Sequence, residues 1–544
     1  MSILRDFDDK CDDLIRFVMA RSGLAIAVIS IISLSFFTLL AIYLPLLSDG
    51  EAHFIASLKQ MITEDTFKID HGHLTGLLSY WVNIPILHLL GYDQIFSYRI
   101  LPVIGAFLFV LASFLIGRRI FGREAGFLAG LFALLPLVTV SSLLSSGIAM
   151  PIAGLIVLNY YAQSCLWRRT ELNKPNSFVN RHFFIFWVSL ALACLLSGVS
   201  LFFIIIPLII LSFSRRDISW LAPLQTHYGL PITAFLIVPP ILYFISDYTL
   251  WDIFLGDDQL LSAFSLENYQ TYWPFSYLTG AGFYMWPLII LLPISLWFAL
   301  KHRDDDRFQF CLLAFIPLWL LLEALPIKHI WLALPIVALI AVVMAGFFVQ
   351  YVNRERDLSR GVYLVTVSLY CLISLLIAIK LPYSAYYLGA EHDICLYILV
   401  SLSILVALFN VICFSEKMMH ALVVGLLVQI MLLVPYYGIK TIPEMRFVNY
   451  IPAVKQAITK SECSENALIF AGFKDPKLNF HFAGKARFLS ISEASAQYLT
   501  ATPCTLFFVN GALNNDLKAS PDDKIMVFNS QNFETTSLNL YQAP

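Results

Sequence analysis

The sequence predicts a mainly α-helical, polytopic membrane protein of about thirteen transmembrane helices, ending in a small C-terminal α/β domain. Three observations predict it. Of the 544 residues, 59% are hydrophobic and 13% charged, with a mean hydropathy of +0.76; a soluble globular protein carries about 25% charged residues. Apolar runs long enough to cross a bilayer recur up to residue 437. The gaps between them alternate, one rich in Lys and Arg and the next nearly empty.

The expected spans are 24–47, 97–117, 124–143, 147–166, 183–197, 199–213, 229–248, 279–300, 309–325, 330–350, 361–381, 394–414 and 418–437. The first is too long for a signal-peptide core and lacks a small-residue cleavage site, so it reads as a retained span. The run 183–213 is interrupted only at Ser197-Gly198, and charge decides how to divide it. With two short spans there and the N-terminus inside, the inner gaps hold 20 Lys and Arg and the outer ones five: Lys59, Lys68, Arg99, Lys328 and Lys380. Merging the pair would put the later basic loops on the wrong side. The expected topology is therefore a multi-pass protein of the cytoplasmic (inner) membrane, N-terminus in the cytoplasm and C-terminal domain in the periplasm or outside.

Two outer gaps are long. In 48–96, Glu51–Ile62 places Phe54, Leu58, Met61 and Ile62 at helical intervals, as an interfacial helix does, and Leu74–Leu90 predicts another. The gap 249–278 holds acidic residues and no Lys or Arg. From 438 to 544, short apolar runs at Ala467–Phe470, Thr505–Val509 and Lys524–Phe528 alternate with polar turns, which predicts strands of a separate outer domain after a transmembrane domain at 1–437.

A formal net charge of −2 offers nothing to nucleic acid. Seven of nine cysteines lie in or beside apolar runs and read as small core residues. Cys463 and Cys504 fall in the C-terminal domain, where an oxidising compartment would permit a disulfide. His53, His71 and His73 share the first outer loop and are candidates for a divalent metal. No cofactor is required by any motif.

Seven motif segments carry a resemblance. Asp49-Gly50-Glu51-Ala52-His53-Phe54 follows the first span, Leu77-Leu78-Ser79-Tyr80-Trp81 and Tyr98-Arg99-Ile100-Leu101-Pro102 come next, and Gly117-Arg118-Arg119 opens the first inner loop. Trp273-Pro274-Phe275-Ser276-Tyr277, Lys328-His329-Ile330-Trp331-Leu332 and Leu478-Asn479-Phe480-His481-Phe482 continue the series. Together these resemble the GT-C glycosyltransferases related to the protein O-mannosyltransferases, on the bacterial branch that contains the lipid A aminoarabinose transferases.

The resemblance implies a GT-C fold and the transfer of a sugar from a polyprenyl-phosphate donor to a lipid or envelope-glycan acceptor at the outer membrane face. It implies Asp49 or Glu51 as the catalytic carboxylate, because an acidic residue of the first outer loop manages the acceptor proton. Lys328, His329, Arg99 and Lys68 become candidates to hold donor or acceptor phosphate, and His53, Tyr80, Trp81 and Asp258 candidates to contact substrate. The chain departs from the family where cations are expected: Thr75-Gly76, Ser197-Gly198-Val199 and Asp258-Gln259-Leu260-Leu261-Ser262 replace cation-bearing segments. A catalytically inactive lipid-binding or scaffold protein with the same fold is the alternative. A lipid transporter fits less well, since the spans show few charges of the kind that mark a transport path.

Overall fold

The structure is a computed structural model that describes residues 2–44, 51, 52, 54, 55, 58, 59, 62, 77–91, 94–143, 147–167, 181–216, 219–244, 275–324, 330–354, 360–387, 394–438, 454–456, 458, 459, 467–471, 486–498, 505–510, 523–529 and 534–542. Two compact units emerge: 1–42 with 69–378 and 400–433, and 43–68 with 379–399 and 434–544.

The membrane helices are α2 (Ser22–Tyr43), α4 (Ile95–Phe121), α5 (Arg123–Leu134), α6 (Leu137–Leu143), α7 (Ala149–Trp167), α8 (Arg181–Leu196), α9 (Ser200–Arg215), α10 (Thr226–Phe244), α11 (Ser276–Tyr284), α12 (Leu292–Lys301), α13 (Asp306–Ala324), α14 (Leu334–Arg354), α15 (Arg360–Tyr387), α16 (Ile394–Ser415) and α17 (Met419–Tyr436). Two further helices, α1 (Ser2–Ala20) and α3 (Leu77–Leu90), lie outside those segments. Among the described residues nine helices are long and apolar enough to cross a membrane, and eleven if each bent pair counts as one. The chain is thus a polytopic helical membrane protein.

Each of the thirteen expected spans falls on one helix or one bent pair. The run 183–213 does divide: α8 and α9 are separate helices of 16 residues, each about 24 Å long and shorter than a typical hydrocarbon core. The bent pairs have causes. Pro136 separates α5 from α6, which turn by 58°, and Pro287 lies in the break of 112° between α11 and the chain that becomes α12. The two breaks meet, for Leu137 N donates to Trp286 O at 3.3 Å.

Close packing rests on small residues. A Cβ on Gly105 of α4 would lie 2.3 Å from Pro151 N, and one on Gly154 of α7 would lie 2.6 Å from Gly105 O, so this crossing needs both glycines. Gly122 joins α4 to α5 at φ 106°, a conformation costly to any residue with a Cβ. Where Pro207 removes a donor from α9, the carbonyl of Phe203 accepts Tyr160 Oη–H at 2.8 Å. Asn159 and Gln163 likewise donate to carbonyls of Phe186 and Ile204, so the short helices are tied to α7 by side-chain bonds.

Five described cysteines are buried, but Cys371 and Cys395 are exposed, against the expectation of core positions. The reason is that lipid, not protein, solvates the outward faces of α15 and α16.

In the C-terminal part, β1 (Ala467–Ala471), β2 (Ala486–Leu489), β3 (Thr505–Asn510), β4 (Asp523–Asn529) and β5 (Glu534–Gln542) form one sheet in the order β2-β1-β3-β5-β4. The first three are parallel, and β5 runs antiparallel to β3 and β4. Helix α18 (Ile491–Tyr498) precedes β3, and its Ala494 joins Ile469, Phe507, Val509 and Tyr541 in the core. Its N-terminus is a capping box: Ser490 N donates to Glu493 Oε2 at 2.8 Å, and Glu493 N to Ser490 Oγ at 3.3 Å.

Candidate functional site

Of the sequence-derived site residues, Asp49, His53, Lys68, His71, His73, Asp258, Lys328, His329, Cys463 and Cys504 lie outside the described residues. Glu51, Arg99 and Trp81 are described, as is the backbone of Tyr80.

Glu51 is 4% exposed and helical, next to the buried Ala52, Phe54, Ile55 and Leu58. The apolar residues alternate as a helix packed on one side requires, and the carboxylate is buried with them. Trp81 is half-buried on α3, and Tyr80 precedes it on the same helix.

Arg99 is 1% exposed near the start of α4, and its Nη1 donates to Ala41 O at 3.1 Å. Ala41 is one of the last four residues of α2, whose carbonyls have no intrahelical donor. The guanidinium thus caps the negative end of the first span, and joins it to the second.

Reading the sequence missed Glu323. It sits in the last turn of α13, only 8% exposed. Its Oε1 accepts Leu278 N at 2.7 Å and Trp319 Nε1 at 3.1 Å, and its Oε2 takes a longer contact of 3.4 Å from Tyr277 N. Those two amides belong to the first turn of α11. Phe275, at the N-cap, has no side-chain acceptor and sits at φ 74°, so the cap arrives from another span. A carboxylate is the right charge for the positive end of a helix. The available signal was a Glu inside the apolar stretch Leu312–Leu325, five residues before Lys328. Glu323 and Arg99 are two buried charges on the membrane helices, each near a helix end.

Beside Glu323 is a cavity of about 140 Å³, lined by Tyr277, Ala281, Tyr284, Phe315, Trp319 and Ile336 among others. Its walls are almost wholly apolar. An engineered apolar cavity of about 150 Å³ stays dry and binds benzene, so this one accommodates roughly one short, branched hydrocarbon segment.

Among the described residues, no group of three or more His, Cys, Asp or Glu is placed to hold a metal ion.

No protein-family model and no curated protein sequence matches the chain. Solved structures do. It is similar to ArnT from Cupriavidus metallidurans bound to undecaprenyl phosphate, with a TM-score of 0.70 at 12% identity over 94% of this chain and 97% of that one. The apo state of the same protein gives 0.67 at 12% identity over the same shares. The archaeal oligosaccharyltransferase AglB from Archaeoglobus fulgidus, in complex with an inhibitory peptide and a dolichol-phosphate, gives 0.48 at 10% identity, over 94% of this chain and 74% of that one. At such identities the likeness speaks for fold, and over almost its whole length this chain has the polytopic GT-C fold.

Proposed function

We propose that this GT-C-fold chain is a membrane glycosyltransferase that moves a sugar from a polyprenyl-phosphate donor to a lipid or envelope-glycan acceptor, with Glu51 or Asp49 as its carboxylate. The observation that carries the reading is Glu51. Glu51 is 4% exposed just past the first span and matches the Glu of the family's Asp-Glu pair, while Gly50 stands at the pair's Asp and Asp49 is one residue earlier. Two observations support it: a structure with the same fold was solved with undecaprenyl phosphate bound, and the apolar cavity beside Glu323 suits part of a lipid chain.

The chemistry is a single displacement. The acceptor hydroxyl oxygen bonds to the anomeric carbon as the bond from that carbon to the phosphate oxygen breaks. The polyprenyl phosphate departs with the bonding electrons, and the hydroxyl proton passes to the carboxylate. The anomeric configuration inverts. Phosphate is already a good leaving group, so orienting the acceptor and removing one proton are the main tasks. Arg99, Lys68, Lys328 and His329 are assigned to the phosphates, with Trp81, Tyr80, His53 and Asp258 toward the sugar or acceptor. The N-terminus is assigned to the cytoplasm and residues 438–544 to the outer side.

A second reading has its own observation. The family cations missing at Thr75, Ser197 and Ser262 suit a protein that keeps the fold and binds lipid without transfer. One comparison separates them. Envelope lipids and glycans of a deletion strain are analysed by mass spectrometry beside strains restored with wild type, Asp49→Ala, Glu51→Ala or the double variant. The transfer reading expects a mass shift lost on deletion and not restored by the double variant. No shift on deletion overturns it, and full restoration by all three variants overturns the site assignment.

A further inference from the structure

The first helix, α1, lies outside every apolar run, and it is neither a span nor a solvated tail. Its contacts follow one another along its length. Ala20 O accepts Arg123 Nη1 at 3.5 Å, Asp12 Oδ1 lies 3.5 Å from His420 Nε2, Asp8 Oδ1 accepts Ala421 N at 2.8 Å, and the ring of Phe7 meets that of Phe409 edge-on at 6.4 Å. Arg123 opens α5, His420 and Ala421 open α17, and Phe409 is in the last two turns of α16. These are helix ends on one side of the bundle. Fourteen residues of helix, about 20 Å, therefore run across the ends of three spans rather than along them, which sets α1 in the plane of the membrane.

The three faces of α1 differ. Cys11, Ile15 and Met19 recur every four residues and are buried against the bundle. Beside them on the polar flank, Asp8 caps the first turn of α17, while Asp12 faces His420, which also lies 3.7 Å from Glu124 Oε1. On the other flank Phe7, Leu14 and Phe17 are 40%, 63% and 70% exposed, and Lys10, paired with Asp6 at 2.8 Å, lies on the same face and extends its charge toward the headgroups. Residues two turns apart, such as 7 and 14, share a direction. On α2, Ile31 and Ile42 are 64% and 49% exposed. Only Arg21 separates the two helices.

We propose that α1 is an interfacial helix whose Phe7–Leu14–Phe17 stripe inserts into the acyl boundary of the bilayer, and that Asp8 and Asp12, acting on Ala421 and His420, fix the roll of α1 that points the stripe there. The partner is the lipid surface. Five Asp against Arg5, Lys10 and Arg16 make α1 net acidic, so apolar insertion, not attraction to anionic headgroups, drives the contact.

The full-length protein in phosphatidylcholine nanodiscs tests this. A dansyl amino acid is placed at position 17 or at position 9 on the exposed polar face, and is quenched by lipids carrying a nitroxide high on the acyl chain. Position 17 is expected to be quenched at least about threefold more than position 9, given insertion of about 5–10 Å. Equal quenching overturns the proposal. So does a probe at 17 that is shielded from aqueous iodide yet unquenched by lipid, since that marks a protein partner. In Asp8→Asn/Asp12→Asn the ratio is expected to fall toward one; an unchanged ratio overturns the roll-fixing role. The wild-type ratio decides the lipid contact even if that variant fails to fold.

Discussion

Replacing Glu323 tests whether a carboxylate on one span holds the start of another helix. The wild-type carboxylate accepts Leu278 N at 2.7 Å and Trp319 Nε1 at 3.1 Å. Hydrogen bonds to a charged group contribute about 1.5–3 kcal/mol each, so their sum is roughly 3–6 kcal/mol. Water entering the space left by Glu323→Ala would recover part of this at the first-turn amide. The expected net loss is therefore about 2–3 kcal/mol. Glu323→Gln keeps an acceptor oxygen and gives up the charge, so its loss should be smaller, about 1 kcal/mol. Reversible unfolding in bicelles, followed in parallel for wild type and both variants, measures the difference. An alanine variant within about 0.5 kcal/mol of wild type, the range of an ordinary surface change, would refute the capping argument. A glutamine variant as damaged as alanine would refute the importance of the acceptor geometry and leave only charge.

Two further outcomes follow from the packing and from the C-terminal domain. Gly105→Ala puts a Cβ 2.3 Å from Pro151 N and 2.5 Å from Met150 C, backbone atoms that cannot rotate away; it should cost at least about 1–3 kcal/mol in the same unfolding assay, while Gly23→Ala, with nothing within 4 Å, should be close to neutral. In the capping box, the backbone N–H and then the hydroxyl of Ser490 hold the Glu493 carboxyl below its usual 4.5. The folded state thus binds this proton less readily than the unfolded chain. Its contribution is present above the unfolded value and is lost as pH falls through the folded one. Acid unfolding of the domain followed by circular dichroism should therefore be less steep in Glu493→Gln between those two values, and an identical acid limb would count against the cap.

Much of the architecture was legible because lipid imposes a simple requirement. Backbone groups in hydrocarbon must pair within a helix, so span positions follow from apolar length, and charge alternation separated α8 from α9. The bends were less legible, since Pro136 and Pro287 end a helix without saying by what angle the chain turns. Helix α1 escaped notice for a different reason. Its five Asp mask the face that Phe7, Leu14 and Phe17 share, and the partner of Asp8 lies 413 positions away. Glu323 was missed because its meaning lies 45 positions away, at the amide of Leu278. Arg99 was singled out for phosphate, and its contact with Ala41 O could not be read from residues 58 apart.

Arg99 and Glu323 share a logic that bears on the proposed chemistry. Each is a buried charge set against a helix terminus of opposite sign: a guanidinium on the carbonyl end of α2, and a carboxylate on the amide end of α11. A buried ion is costly unless paired, and the partial charge of about half a unit at a helix end offsets part of that cost. Such charges suit positioning. A guanidinium bonded to a helix carbonyl has its place set by α2. Moving Arg99 to a shorter cation should show which role dominates. Arg99→Lys retains the charge and loses the planar fork, so a phosphate role through charge alone predicts near-normal transfer with a weakened cap. A role through positioning predicts instead that unfolding stability and transfer fall together, measured in bicelles and by envelope mass spectrometry. Transfer lost at unchanged stability would refute positioning and place Arg99 on the phosphate itself.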